Sequence, residues 1–223
     1  MAKKKSKRLL IIIICVVAVL LAVAGGFFLK MSSEQKNMTP VETGEFLPDI
    51  NAIKSGYVNM FLMKADSSYI AIDAGADESD VKQGMAQLGI SSDDIAAVLL
   101  THTHGDHTAA LKLFDKAVIY AAKQEIASQA VVDGKTFELL DKEIRVIATP
   151  GHADDSVCYL IDGIYLFAGD NMSLDGNKVG MFNSTFNKSD EQQKTDIEKL
   201  AGLSGVEYII TAHYGYTSNP IFP

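Results

Sequence analysis

All five histidines of this 223-residue chain fall in three short stretches. His102, His104 and His107 lie in the run Thr-His-Thr-His-Gly-Asp-His that begins at Thr101, His152 lies in Thr-Pro-Gly-His, and His213 lies in Thr-Ala-His-Tyr-Gly. Neutral imidazole is the commonest protein ligand for zinc, and carboxylates complete such sites. His102 and His104 are two residues apart, so on an extended segment they project from the same side. Gly105 lets the chain turn before Asp106 and His107, whose side chains diverge. One pair can then serve one ion while Asp106 and His107 serve another. Singly, His152 and His213 would read as structural residues and Asp170 as a turn or helix-cap residue. Together they complete a donor set of five imidazoles and two carboxylates, Asp106 and Asp170.

The elements that must position these donors follow from periodicity. Strands are expected over 57–65 and 68–73, the second ending at Asp73-Ala74-Gly75. A helix is expected over 77–88 with Val81, Met85 and Leu88 on one face, then an apolar strand over 95–100 that runs into the histidine cluster. Next come a helix over 107–114, a strand over 117–121 and a helix over 123–130. Strands over 136–140, 144–148, 157–161 and 164–168 follow, with Asp162-Gly163 a strong hairpin signal. Met172 to Asn187 reads as a long loop carrying Phe182 and Phe186, which either line a cleft or anchor the loop. A capped helix over 189–200 and a strand over 206–211 close the pattern. The donors fall where strands end, so they can converge on one edge of packed sheets.

The N-terminal segment is of another kind. Lys3, Lys4, Lys5, Lys7 and Arg8 precede an uncharged apolar run from Leu9 to Leu29, long enough to cross a bilayer as a helix. The basic cluster predicts a cytoplasmic N-terminus, with the rest of the chain outside. A cleavable signal peptide, with Ala22-Val23-Ala24 as its cleavage site, is the competing reading. The expected organisation is a basic tip and transmembrane anchor (1–30), a linker (31–44) and a catalytic domain (45–223). Residues 1–30 carry six positive charges and no negative ones, so the net charge of −8 becomes −14 for the remainder. Such an acidic body repels polyanions, which argues against nucleic acid and for a small-molecule substrate. The two cysteines, Cys15 and Cys158, fall in the apolar span and in a predicted strand, which makes an intramolecular disulfide implausible.

With these motifs in place, the chain resembles the metallo-β-lactamase superfamily. His102, His104, Asp106 and His107 match its His-x-His-x-Asp-His hallmark, and His152, Asp170 and His213 match its later ligands. The likeness runs from about Glu45 to Tyr216. It implies an α/β fold, the αββα sandwich, with metals at one sheet edge. It further implies one metal on His102, His104 and His152, a second on Asp106, His107 and His213, and Asp170 bridging them. Asp73 would support the site without binding metal. Two zinc ions are the default for this donor set, and iron or manganese suits it too. They would activate a shared water, which Asp106 would help to orient.

Asp170 resembles the bridging carboxylate of the glyoxalase II, lactonase and phosphodiesterase branches rather than the best-known β-lactamases. Hydrolysis of a small ester, thioester or lactone is therefore the leading expectation. Phosphodiester or β-lactam hydrolysis, oxidation of a persulfide at a single iron, and non-catalytic sensing are the alternatives. Tyr214 and Tyr216 either supply an oxyanion-stabilising hydroxyl or pack at a strand end, packing being the commoner use of an aromatic residue.

Overall fold

Alternating burial along the strands of this chain separates its apolar residues into three layers. The computed structural model describes residues 2–223, without the side chains of residues 2–12, 27 and 31. The side chains of the basic cluster and of the start of the apolar run therefore lie outside the described residues. The chain divides into two units, Met1–Asn37 and Met38–Pro223.

The first unit is the helix α1 (Ala2–Lys36). Its stretch Ile13–Lys36 has the length and apolarity to cross a membrane, a property that signal sequences share. Residues 31–36, expected to form a tether, continue this helix.

The second unit contains two large sheets. The first has seven strands in sequence order: β1 (Gly44–Leu47), β2 (Ile50–Ser55), β3 (Val58–Ala65), β4 (Ser68–Ile72), β5 (Ile95–Leu99), β6 (Val118–Ala121) and β7 (Gln129–Ala130). The second comprises β8 (Thr136–Leu139), β9 (Lys142–Ala148), β10 (Val157–Ile161), β11 (Tyr165–Gly169), β14 (Tyr208–Thr211) and β15 (Gly215–Thr217), with β15 and β8 at its edges. A separate hairpin, β12 (Met172–Asp175) and β13 (Lys178–Met181), replaces the first part of the expected long loop. The helices are α2 (Glu78–Leu88), the single turn α3 (Gly105–Thr108) and α4 (Asp190–Ala201).

Successive side chains of a strand face opposite ways, and the layers follow from this. Phe61 and Met63 of β3 meet Val146, Tyr159 and Phe167 between the sheets. Met60 and Leu62 face outward onto Val81 and Met85 of α2. Cys158 and Leu160 of β10 face Ile197 and Leu200 of α4. The result is the expected αββα sandwich. Gly84 of α2 lies so close to β2 that a Cβ there would stand 2.4 Å from Ile53 Cγ2.

Asp77 caps α2 by accepting from Ser79 and Asp80 N–H, and Ser189 caps α4 through Gln192 N–H. Asp162 and Gly163 have φ of 54° and 69°, as the turn closed by Ile164 N–H on Ile161 O (3.1 Å) requires, and Ile164 adds a third residue to the loop between β10 and β11. Two expected helices do not form. The helix over 107–114 is cut to α3 and a 3₁₀ turn at Leu111–Leu113, because Ala109 and Ala110 N–H donate to the carbonyls of Gly75 and Ala74. Over 123–130, Ser128 N–H is taken by Ile119 O and β7 pairs with β6, so strand pairing captures the backbone.

The strand ends then coincide. β4 and β5 run parallel, and so do β11 and β14, while β9 shares their direction because β10 is antiparallel to both β9 and β11. Asp73, the Thr101–His107 segment, His152, Asp170 and His213 all follow the C-terminal ends of these strands. Main-chain bonds from Val157 N to Thr101 O (2.8 Å) and from Asn59 N to Ala212 O (2.8 Å) tie the two sheets together at that edge. The Tyr159 hydroxyl adds a bond to Leu100 O at 2.9 Å.

Candidate metal centre

Three clusters of donor atoms, each within 4.8 Å, form at this edge: His102, His104 and His152; His102, His107 and Asp170; and Asp106, His107 and His213. In the first, His104 Nδ1 lies 3.0 Å from both His102 Nε2 and His152 Nε2. In the third, Asp106 carboxylate oxygens lie 3.6 Å from His213 Nε2 and 3.9 Å from His107 Nε2. Asp170 stands between them. Its Oδ2 faces His152 Nε2 (3.4 Å) and His102 Nε2 (3.8 Å), and its Oδ1 faces His213 Nε2 (3.2 Å) and His107 Nε2 (3.3 Å).

The outward nitrogens of four imidazoles are occupied, which turns the other nitrogen inward. His107 Nδ1 meets Asp73 Oδ2 at 2.8 Å, and His213 Nδ1 donates to Tyr57 O at 2.8 Å. The Thr101 hydroxyl donates to Asp73, leaving its lone pair to face His102 Nδ1 at 3.2 Å. His152 Nδ1 faces Asn187 Oδ1 at 3.2 Å. Outer partners of this kind fix tautomer and ring orientation at metal sites. Asp73 thus orients one imidazole directly and a second through a hydroxyl.

Local backbone makes this possible. Asp73 itself sits at φ 61°, and Gly169 at φ 53° lies against Thr101, whose Oγ1 would be 2.7 Å from an added Cβ. Gly151 lies against α4, where a Cβ would stand 2.3 Å from Gln193 N and Cα. Its N–H donates to Asp196 Oδ2 at 2.8 Å. Proline and glycine before His152 therefore serve a close helix approach as well as a turn.

The electrostatics divide the imidazoles. Burial lowers the pKa of His102 well below its usual value, helped by the charge of His107, and burial also lowers His152. For His107 burial acts the same way, but Asp170 and Asp73 outweigh it and hold the pKa well above the usual value. His213 is raised because Asp170 outweighs its burial. Asp170 is held well below the ordinary carboxylate range, since His213 and His107 overcome its desolvation.

These residues fit a divalent cation. His107 Nε2 and Asp170 Oδ1 are both buried and lack a hydrogen-bond partner, although they are 3.3 Å apart. Buried polar atoms left this way need a further partner. Nitrogen and carboxylate oxygen converging at such spacing are the donors zinc, iron or manganese takes.

Among the other candidates, Phe182 is buried with its ring edge-on to His152 at 5.1 Å and tilted to His213 at 5.5 Å. Phe186 lies 6.2 Å from Phe182. Tyr214 stands edge-on to Phe182, whereas Tyr216 packs on Phe46, which in turn contacts Phe61 between the sheets. Thr101, Asn187, Gln193 and the Tyr57 carbonyl were not foreseen. Thr101 adjoins the histidine cluster and was the one open to inference.

The sequence profile of the metallo-beta-lactamase superfamily matches residues 53–123. A hydroxyacylglutathione hydrolase of Xanthomonas axonopodis pv. citri is 31% identical over 169 residues, covering 72% of this chain and 62% of that protein. A thioesterase of Emericella nidulans is 34% identical over 137 residues, covering 59% and 40%. The aligned stretch spans 40% to 66% of the length of the curated relatives considered. A solved metallo-beta-lactamase family protein from Thermus thermophilus superposes with a TM-score of 0.61 at 20% identity, over 78% of this chain and 76% of that one, a likeness of fold. Profile, relatives, sandwich and donor set agree: the chain belongs to the metallo-β-lactamase superfamily.

Proposed function

We propose that the protein is a metal-dependent hydrolase acting on a small ester, thioester or lactone, with two zinc ions as its default cofactor. The observation that carries this reading is the Asp170 carboxylate, one oxygen directed to each donor group. Two divalent cations held by these residues would supply Lewis acidity and lower the pKa of a bound water. His102, His104 and His152 would hold one, and Asp106, His107 and His213 the other.

The chain's own residues do the rest. Asp106, less buried than Asp170, can hold the proton of an attacking water and orient it. Phe182 covers His152 and His213 with an apolar ring and so limits solvent there. A groove of about 780 Å³ runs past His104 and His152, with Phe186, Lys123 and Asp155 among its walls. Such a volume suits a small molecule. The relatives named as a thioesterase and a hydroxyacylglutathione hydrolase support an acyl substrate.

On the same reading, α1 anchors the protein in a membrane, with the basic N-terminus cytoplasmic and residues 38–223 on the other side. Nucleic acid is not expected as a partner, given the acidity of that unit.

The test is metal content combined with a panel of esters, thioesters, lactones, β-lactams and phosphodiesters, on the full chain in detergent. Two cations per chain and turnover of an acyl substrate are expected. One iron per chain with oxygen uptake on a persulfide would replace hydrolysis by oxidation.

A further inference from the structure

Two side-chain amides approach the metal centre, Gln193 in the first turn of α4 and Asn187 three residues before that helix, and their bonds leave little freedom. Asn187 Nδ2 faces Phe182 O (3.1 Å), Asp190 Oδ1 (2.9 Å) and Gln193 Oε1 (2.8 Å), which share its two N–H groups. All three are acceptors, so the nitrogen of the Asn187 amide must face them. Its Oδ1 is therefore turned to His152 Nδ1 (3.2 Å) and to Gln193 Nε2 (3.0 Å). Gln193 is fully buried, and its Nε2 also donates to the main-chain oxygen of Asp170 at 3.3 Å.

We propose that Asn187 and Gln193 are positioning residues that set the tautomer of His152 and the seat of Asp170, making α4 part of the metal-binding apparatus. The inference rests on the hydrolase reading only for its catalytic consequence. An acceptor opposite His152 Nδ1 requires the proton there, which leaves the Nε2 lone pair facing His104 Nδ1 and Asp170 Oδ2. The same oxygen accepts from Gln193, so the amide that orients the imidazole also grips the main chain of the bridging carboxylate. One clasp thereby joins a donor of the first group to the residue shared by both. Gly151, pressed against Gln193 at its N–H and Cα, keeps His152 within reach.

The test compares Asn187→Leu, Gln193→Met and Asp190→Ala in the full-length protein. The Asp190 variant removes one acceptor of the Asn187 amide nitrogen but leaves Oδ1 opposite His152, and methionine preserves the volume of Gln193 without its N–H. Zinc affinity is read by chelator competition, and the His152 tautomer by nitrogen NMR of the metal-free protein. Neither readout depends on knowing a substrate, so failure of the hydrolase assignment and failure of the clasp are separable. Asn187→Leu and Gln193→Met should bind one zinc about ten- to a hundredfold more weakly. Asp190→Ala should stay within about threefold of the parent and keep Nδ1 protonated. Equal loss in Asp190→Ala and Asn187→Leu, or parental affinity and tautomer in Asn187→Leu and Gln193→Met, would overturn the proposal.

Discussion

The two donor groups of the centre are built from similar side chains but anchored by different partners. His107 and His213 are held by a buried carboxylate, Asp73, and by the Tyr57 main-chain carbonyl. His102 and His152 lean on neutral side chains, the Thr101 hydroxyl and the Asn187 amide, while His104 is exposed beside the groove. The imidazole pKa values divide along the same line for another reason: burial lowers His102 and His152, whereas Asp170 outweighs burial at His107 and His213, with Asp73 adding to it at His107 alone. Two halves that look alike in sequence thus differ both in what holds their rings and in how strongly Asp170 acts on them.

The most damaging change should be to the residue the halves share. Asp170→Ala is expected to lose at least one of two cations and about two orders of magnitude or more in hydrolysis. Elemental analysis showing both cations retained would remove the bridging role. Chelation of the parent should come next, lowering stability by about 3 kcal/mol if the free metal had stood a hundredfold above its Kd. An unchanged melting temperature would mean that binding is not coupled to the folded state.

Asp73→Asn separates the halves. Asparagine tolerates the positive φ of this position, so the charge is removed without backbone strain. The Asp106, His107 and His213 group should lose about ten- to a hundredfold in affinity, and the other group less. Equal losses would erase the difference between direct and hydroxyl-relayed anchoring. Gly151→Ala probes the opposite half, because its Cβ would strike α4. A cost of about 1–3 kcal/mol is expected, with weaker binding confined to the His102, His104 and His152 group.

The smallest effect concerns the approach to His152. Asp133 accepts from Ala148 N at 2.7 Å at the end of β9, and its pKa is lowered first by that bond and then by Lys199. A carboxyl lowered in the folded state contributes stability above its unfolded pKa and loses it as pH falls through the folded one. Asp133→Asn should abolish that acid-side portion, a minor one because the side chain is more than half exposed. Urea titrations of parent and variant at neutral and acid pH measure it.

Much of the centre was legible because its donors are chemically rare and placed at strand ends. The capped helix α4 and the Asp162-Gly163 hairpin were legible for a similar reason, since local bonds within a few residues decide them. The hairpin β12–β13 had a comparable signal, Gly176-Asn177 between alternating apolar residues, that the loop reading passed over. The segment over 123–130 misled because its helix-forming composition is a weak local preference, while β6 offers its backbone nonlocal partners.

By itself the sequence pointed to seven candidate donors at strand ends, a mixed α/β pattern and an apolar N-terminal segment of membrane-spanning length. Those features depend on residue type and short-range period, whereas the sandwich was implied by the family resemblance. Tertiary structure alone decided which nitrogen of each imidazole faces inward, because Asp73, Tyr57 O, Thr101 and Asn187 occupy the other one. It also decided that α4 reaches the centre through Gln193. Hydrogen bonds between residues as distant as Tyr57 and His213 form only when two sheets close, and no local pattern encodes them.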